Sequence, residues 1–160
     1  MACMTTRKTT VLLNIVSDDK LLLQTKTHPV EGYAVLDSFG YRIDSIEQAD
    51  ACVHELAEGI LRGAYDLALA GRMVDYIQKP QGDVRLETIV YKVEISHAQV
   101  SMAPTYAWYS QGQLELDPRF KRDRHLLPYY FSDKVFSIEF AECQMGRWDE
   151  ATLLWLKEIK

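Results

Sequence analysis

Residues 45–77 read SIEQADACVHELAEGILRGAYDLALAGRMVDYI, and whether this run is helical decides between an antiparallel sheet with gathered helices and a parallel strand–helix fold. Ser45 opens the run with Gln48 three residues later, the spacing of a capping box. Ile46, Ala49, Val53, Leu56 and Ile60 then recur at helical spacing, which places an apolar stripe on one helix face. Gly59 and Gly63 weaken its end, yet Leu67, Ala70, Val74 and Ile77 resume the spacing as far as Lys79-Pro80, where a helix must stop. The pattern predicts one bent helix or two consecutive ones over 46–78. Its second part, residues 64–77, is apolar around most of its circumference. That predicts packing on two sides and, because symmetric pairs are the commonest closed assemblies, a homodimer.

Working outward, the N-terminal side offers strand-like runs punctuated by turn chemistry: TTVLLNIV, SDDK and LLLQT, then GYAVL, DSFG and YRI. Two hairpins are expected there, with His28-Pro29 interrupting the sheet between them. On the C-terminal side LETIVYKVEIS alternates, with Ile89, Tyr91, Val93 and Ile95 on one face, and predicts a half-buried antiparallel strand. TYAWYS and QLELD flank Gln111-Gly112 as a further hairpin, and KVFSIEFAE sets Phe136, Ile138 and Phe140 on one face. Trp148, Thr152, Trp155 and Ile159 share a stripe that predicts a short C-terminal helix. The expected fold is α+β: an antiparallel sheet built from hairpins, with a central helical segment and the C-terminal helix packed on one face, in a single domain over 1–160.

Composition narrows the classes. A chain of 160 residues can bury a sizeable core without disulfides or structural metal, and no apolar run approaches the roughly 18 residues of a membrane span. The stretch Val11 to Val16 is too short for an export signal, and three widely spaced cysteines suit a reducing, cytoplasmic setting. A net charge of -5 disfavours nucleic acid as a partner.

No phosphate loop, dinucleotide fingerprint, zinc-protease motif or nucleophile elbow is present. Asp50, His54 and Glu58 are spaced by four on the polar side of the first helix, where they could approach a divalent metal or poise His54 as a base. A solvated helix face explains the same triplet, and three ligands spread over roughly 12 Å of axis cannot share one ion, so no metal or other cofactor is assigned. His97 extends the Ile89 to Ile95 face as a candidate pocket histidine. Tyr91, Tyr106, Trp108, Tyr109, Tyr129, Tyr130 and Phe131 form an aromatic surplus that could line a ligand pocket or an interface. Arg119, Lys121, Arg122 and Arg124 gather in a segment expected to be a solvated, dispensable loop.

These readings favour a binding or accessory protein without catalytic activity, acting through a protein partner or a small apolar ligand. The alternative is a small enzyme with a metal-assisted or histidine-base site at Asp50, His54 and Glu58 or at His97. A weaker third is a nucleic-acid accessory protein using the basic segment.

Overall fold

The computed structural model describes residues 5–27, 32–120, 122–143 and 151–158. Strand β1 (Thr6–Ser17) turns at Asp18-Asp19 into β2 (Lys20–Thr27), with Ser17 opposite Lys20. Both turn residues have positive φ, 48° and 58°, the two-residue turn that matches strand twist and that aspartate tolerates. This hairpin is as the sequence predicts. The second predicted hairpin is not formed. Strands β3 (Ala34–Asp37) and β4 (Phe39–Ile43) do not pair with each other: β3 joins β2, and β4 joins β1. Only Ser38 separates them, too little for a hairpin loop. Its buried hydroxyl donates to Asn14 Oδ1 on β1 at 2.6 Å, so the chain steps from one strand pair to the next.

Helix α1 (Ala49–Ile60) follows a short 3-10 turn and buries Ala49, Val53, Ala57 and Ile60. The predicted continuation over 64–77 is instead strand β5 (Leu67–Gln78), which forms a hairpin with β6 (Val84–Glu94). Two features explain the misreading. The strand lies between β6 and β8 (Phe136–Cys143), and Met73, Val74 and Asp75 are buried in succession, so it does not read as a cleanly alternating strand. A bulge between Leu69 and Gly71 also shifts the alternation, so Leu67 and Leu69 share a face with Arg72 and Val74 and imitate helical spacing. The argument for a dimer loses its premise, since no spare apolar helix face exists there.

The sheet is mixed rather than antiparallel. Strand β1 runs parallel to β6 from Thr6 opposite Val84 to Val16 opposite Glu94, and β5 runs parallel to β8. Strand β6 is therefore internal and buried on both faces, with Ile89 and Val93 on one and Thr88 and Val90 on the other. Strand β7 (Tyr106–Ser110) pairs with β2. The expected hairpin partner QLELD is helix α2 (Gln111–Leu116), because Ser110 caps it: Gln113 N–H donates to Ser110 Oγ at 3.2 Å and Ser110 N–H to Gln113 Oε1 at 2.8 Å. Helix α3 (Leu127–Tyr130) precedes β8. The predicted C-terminal helix is β9 (Ala151–Glu158), antiparallel to β8, where pairing along the sheet overrides the local spacing. Trp148 and Ile159 lie outside the described residues.

Helices pack on both faces of the sheet, which has nine strands among the described residues, not on one. Leu13, Ile15, Leu22, Phe39 and Val93 meet α1, while Leu12, Leu23, Met73, Val90, Phe136 and Phe140 meet α2 and α3. The architecture is a mixed α+β sandwich. Among the described residues no helix is long and apolar enough to cross a membrane.

Candidate functional site

Helix α1 is fixed locally at its start and held at its far end by another part of the chain. Gln48 Oε1 accepts the Asp44 N–H at 3.0 Å, so Gln48 reaches one residue beyond the predicted Ser45. At the far end Leu61 turns extended, Ser101 N–H donates to Ile60 O at 2.8 Å, and Arg62 N–H donates to Gln99 O at 2.7 Å. The Gln99 amide closes the corner by donating to the carbonyls of Arg62 and Ala64. A helix clamped this way presents its outer face rigidly, as a reactive site requires.

That face exposes Asp50, His54, Glu55 and Glu58. Asp50 stands in the first turn, where a negative charge is favoured by the helix dipole. His54 Nε2 lies 3.9 Å from Asp50 Oδ1, and the His54 ring is 6.4 Å from that of Tyr65. Glu55 and Glu58 are differently placed. They lie one turn from each other, and Glu58 stands in the last turn, against the dipole, with no basic residue there to offset it. Cys52, half-buried beside them, is raised above the ordinary thiol range by burial and then by Glu55, which disfavours a thiolate nucleophile. Burial and then Asp50 likewise raise the Tyr91 hydroxyl. Among the described residues no three metal-ligating side chains converge.

The other predicted residues are dispersed. His97 opens a 3-10 turn rather than extending β6: its Nδ1 is 2.7 Å from Ser17 Oγ and 3.8 Å from Asp18 Oδ2, and its ring stacks on Trp108 at 4.2 Å. Ser17 is buried, and Asp18 approaches the same ring nitrogen, so the trio lacks the relay of a nucleophile, base and orienting acid. It ties the β1–β2 turn to β7. His97→Ala is expected to lower stability by roughly 1–2 kcal/mol, since the Ser17 hydroxyl loses its partner. Urea unfolding followed by tryptophan fluorescence checks this, and a midpoint unchanged from wild type would refute it.

The aromatic surplus does not make one pocket. Tyr91, Tyr106 and Trp108 pack on the α1 side, Tyr109, Tyr129 and Phe131 on the opposite side, and Tyr130 is wholly buried. A cavity of about 420 Å³ does exist, lined by Ala68, Lys92, Glu94, Ser132 and Asp133 among others. Lys92 spans its floor, donating to Ser132 O at 2.9 Å and lying 3.5 Å from Glu94. Sequence reasoning passed over Lys92 and Glu55, because neither breaks a periodic pattern.

The basic segment is not a free loop. Arg119 forks onto Asp117 at 2.8 and 3.1 Å, and Arg124 donates to the carbonyls of Asp117 and Phe120, each at 2.7 Å. Phe120 between them is buried, which ties the segment to the core. Lys121 lies outside the described residues. The hydrogen-bonded Arg119 guanidinium holds the Asp117 carboxyl below its ordinary range. A depressed native pKa contributes stability above the unfolded value and loses it as pH falls through the native one. Asp117→Asn is therefore expected to lower stability by about 1 kcal/mol at pH 7, and by nothing measurable well below about pH 4. Denaturation at both pH values tests this, and equal losses would refute the ionic origin.

No protein family's sequence profile matches the chain, and no curated protein matches it. Solved structures share its fold. A mutator MutT protein from Bacillus halodurans is 19% identical, covering 94% of this chain and 97% of that one, with a TM-score of 0.63. An Ap4A hydrolase from C. elegans is 11% identical over 79% of this chain and 96% of that one, with a TM-score of 0.53. A hydrolase of the NUDIX family from Clostridium perfringens is 17% identical over 78% and 96%, with a TM-score of 0.50. The expectation of a binding or accessory protein without catalytic activity is corrected by this finding, since neighbours sharing the fold over most of their length are named as hydrolases.

Proposed function

We propose that this chain is a hydrolase of a phosphoanhydride bond in a nucleotide, with the outer face of α1 as its site. The fold likeness supports a hydrolase, and the Ap4A hydrolase among the neighbours supports a nucleoside polyphosphate substrate. One observation carries the placement: Glu55 and Glu58 stand exposed a turn apart on a clamped helix, and Glu58 lies at the wrong end of its dipole with no basic residue in the last turn. An arrangement that opposes local stability without a compensating contact marks function.

Two carboxylates at this spacing can orient a water and accept its proton as it attacks phosphorus, while the bridging oxygen leaves with the departing phosphate. No closed metal cage is present among the described residues, but magnesium characteristically binds one or two carboxylates together with substrate phosphates. Glu55 and Glu58 fit that role, and such an ion would neutralise charge on the phosphates. Asp50 and His54 are the flanking pair, with Asp50 serving the helix terminus. Incubation with Ap4A and with nucleoside triphosphates, with magnesium or with chelator, tests the reading. Phosphate or pyrophosphate release that requires magnesium is expected. Release no faster than in a protein-free control for every substrate would sink it.

A further inference from the structure

Strand β4 sends alternate residues to the face that α1 covers. Phe39 and Ile43 lie opposite Leu13 and Thr9 of β1 and are 3% and 8% exposed, Phe39 in one cluster with Val53 and Ala57 and Ile43 in another with Ala49. Tyr41 stands between them on the same face, opposite Val11, and yet is 62% exposed. Among the described residues no ring, ion pair or hydrogen bond from another side chain engages its side chain. An aromatic ring set out beside a helix in this way forgoes the burial that both of its strand neighbours obtain.

The rotation of α1 decides which acids that ring faces. Strand β1 lies between β4 and β6, so the two flanks of α1 look over different strands. The flank of Asp50 and His54 looks toward β6 and the start of β5, since Asp50 acts on the Tyr91 hydroxyl and the His54 ring lies 6.4 Å from that of Tyr65. Cys52 is two residues from Asp50, about 200° round the axis, and Glu55 is five residues from it, about 140°. Both therefore lean to the flank over β4, where Cys52 packs with the cluster of Val11 and Ile43 and Glu55 acts on its thiol from one turn further on. Gly59 continues that flank a turn beyond Glu55. A Cβ there would meet nothing within 4 Å, so packing does not require glycine, although alanine would favour the helix. A bare backbone at this point leaves room for a ligand lying along the flank.

We infer that Tyr41 is a specificity-determining residue of the α1 site: its ring is the platform on which the base of a nucleotide stacks, with the phosphate chain running on to Glu55 and Glu58. The phosphate half of this assignment rests on the hydrolase reading, and the base half on the exposed ring. Tyr65 and Tyr91 on the other flank are packed against the core, and the Asp50 charge beside them repels phosphate. A free aromatic face at the mouth of the site accepts any base, because every base has a π-face to offer.

Calorimetric titration with α,β-methylene-ADP and with its base-free counterpart methylenediphosphonate, both with magnesium, separates the base from the phosphates, and neither probe can be hydrolysed between its phosphorus atoms. Y41A is expected to bind the nucleotide analogue about 10- to 100-fold more weakly than wild type does, and methylenediphosphonate within about twofold of it. Its melting temperature should be unchanged, since the side chain is exposed. Y41W should restore nucleotide affinity, because a larger aromatic face serves the same purpose. Equal nucleotide affinity in wild type and Y41A, an equal loss for both probes, or no nucleotide binding by wild type overturns the proposal. A wild-type dimer that Y41A dissolves in light scattering, with nucleotide affinity unchanged, also overturns it and reassigns the ring to a contact between copies. Turnover assays keep the two readings apart: nucleotide binding that depends on Tyr41 without phosphate release from any nucleotide defeats the hydrolase and keeps the platform, whereas magnesium-dependent release with unchanged binding in Y41A does the reverse.

Discussion

Replacing Gly71 with alanine is expected to destabilise the protein by about 3 kcal/mol, and with valine by more, because the space a side chain needs is already filled. A Cβ at Gly71 would lie 2.5 Å from Phe136 Cε1 and 2.6 Å from Cδ1 and Cζ. Phe136 is directly opposite on β8, wholly buried, with the rings of Tyr129 and Tyr130 at 5.6 and 6.0 Å. Its ring has nowhere to turn, so the strands must part along the parallel pairing of β5 and β8. For a domain of this size the melting temperature should fall by roughly 10 °C. The paired variant G71A/F136L should recover a measurable part, since two residues in contact couple. A G71A melt within 1 °C of wild type would mean that the bulge does not hold β5 and β8 in this contact.

The same glycine shows what could and could not be read in the chain. Gly71 interrupts an otherwise helical pattern, a signal equally open to bulge and helix, and the helix reading prevailed because Leu67, Ala70, Val74 and Ile77 kept its period. Turn chemistry was legible in one of three places: Asp18-Asp19 makes the predicted tight turn, whereas no hairpin forms at Ser38 or Gln111-Gly112; Phe136, Ile138 and Phe140 do share a buried face. Parallel pairing was illegible, for β1 and β6 lie far apart in sequence and no local residue records their meeting. At the proposed site, helical spacing located α1 and put Asp50, His54 and Glu58 on its outer side. Glu55 was hidden because a carboxylate on a solvated helix face is ordinary until the helix ends are known. Once α1 is seen to stop at Ile60, Glu58 in its last turn conflicts with the dipole, and Glu55 is its like-charged neighbour one turn back.

Glu55→Gln and Glu58→Gln are each expected to reduce kcat by at least about 100-fold, and the double variant to leave no measurable turnover, while the melting temperature stays level or rises. The two effects have one cause. The two carboxylates repel each other across one turn and Glu58 also opposes the helix dipole, so neutralising either should relieve a few tenths of a kcal/mol. Asp50→Asn gives the contrast. Asp50 is in the first turn, where its charge supports the helix, so stability should fall slightly and turnover should change by less than about tenfold. His54 lies between the pairs, 3.9 Å from Asp50, and its loss should act mainly through the position of that carboxylate. A structural role for Glu55 and Glu58 predicts the opposite pattern, in which stability and activity fall together. Kinetics and melting curves on the same preparations separate the two, and turnover by the double variant within tenfold of wild type would move the site off α1.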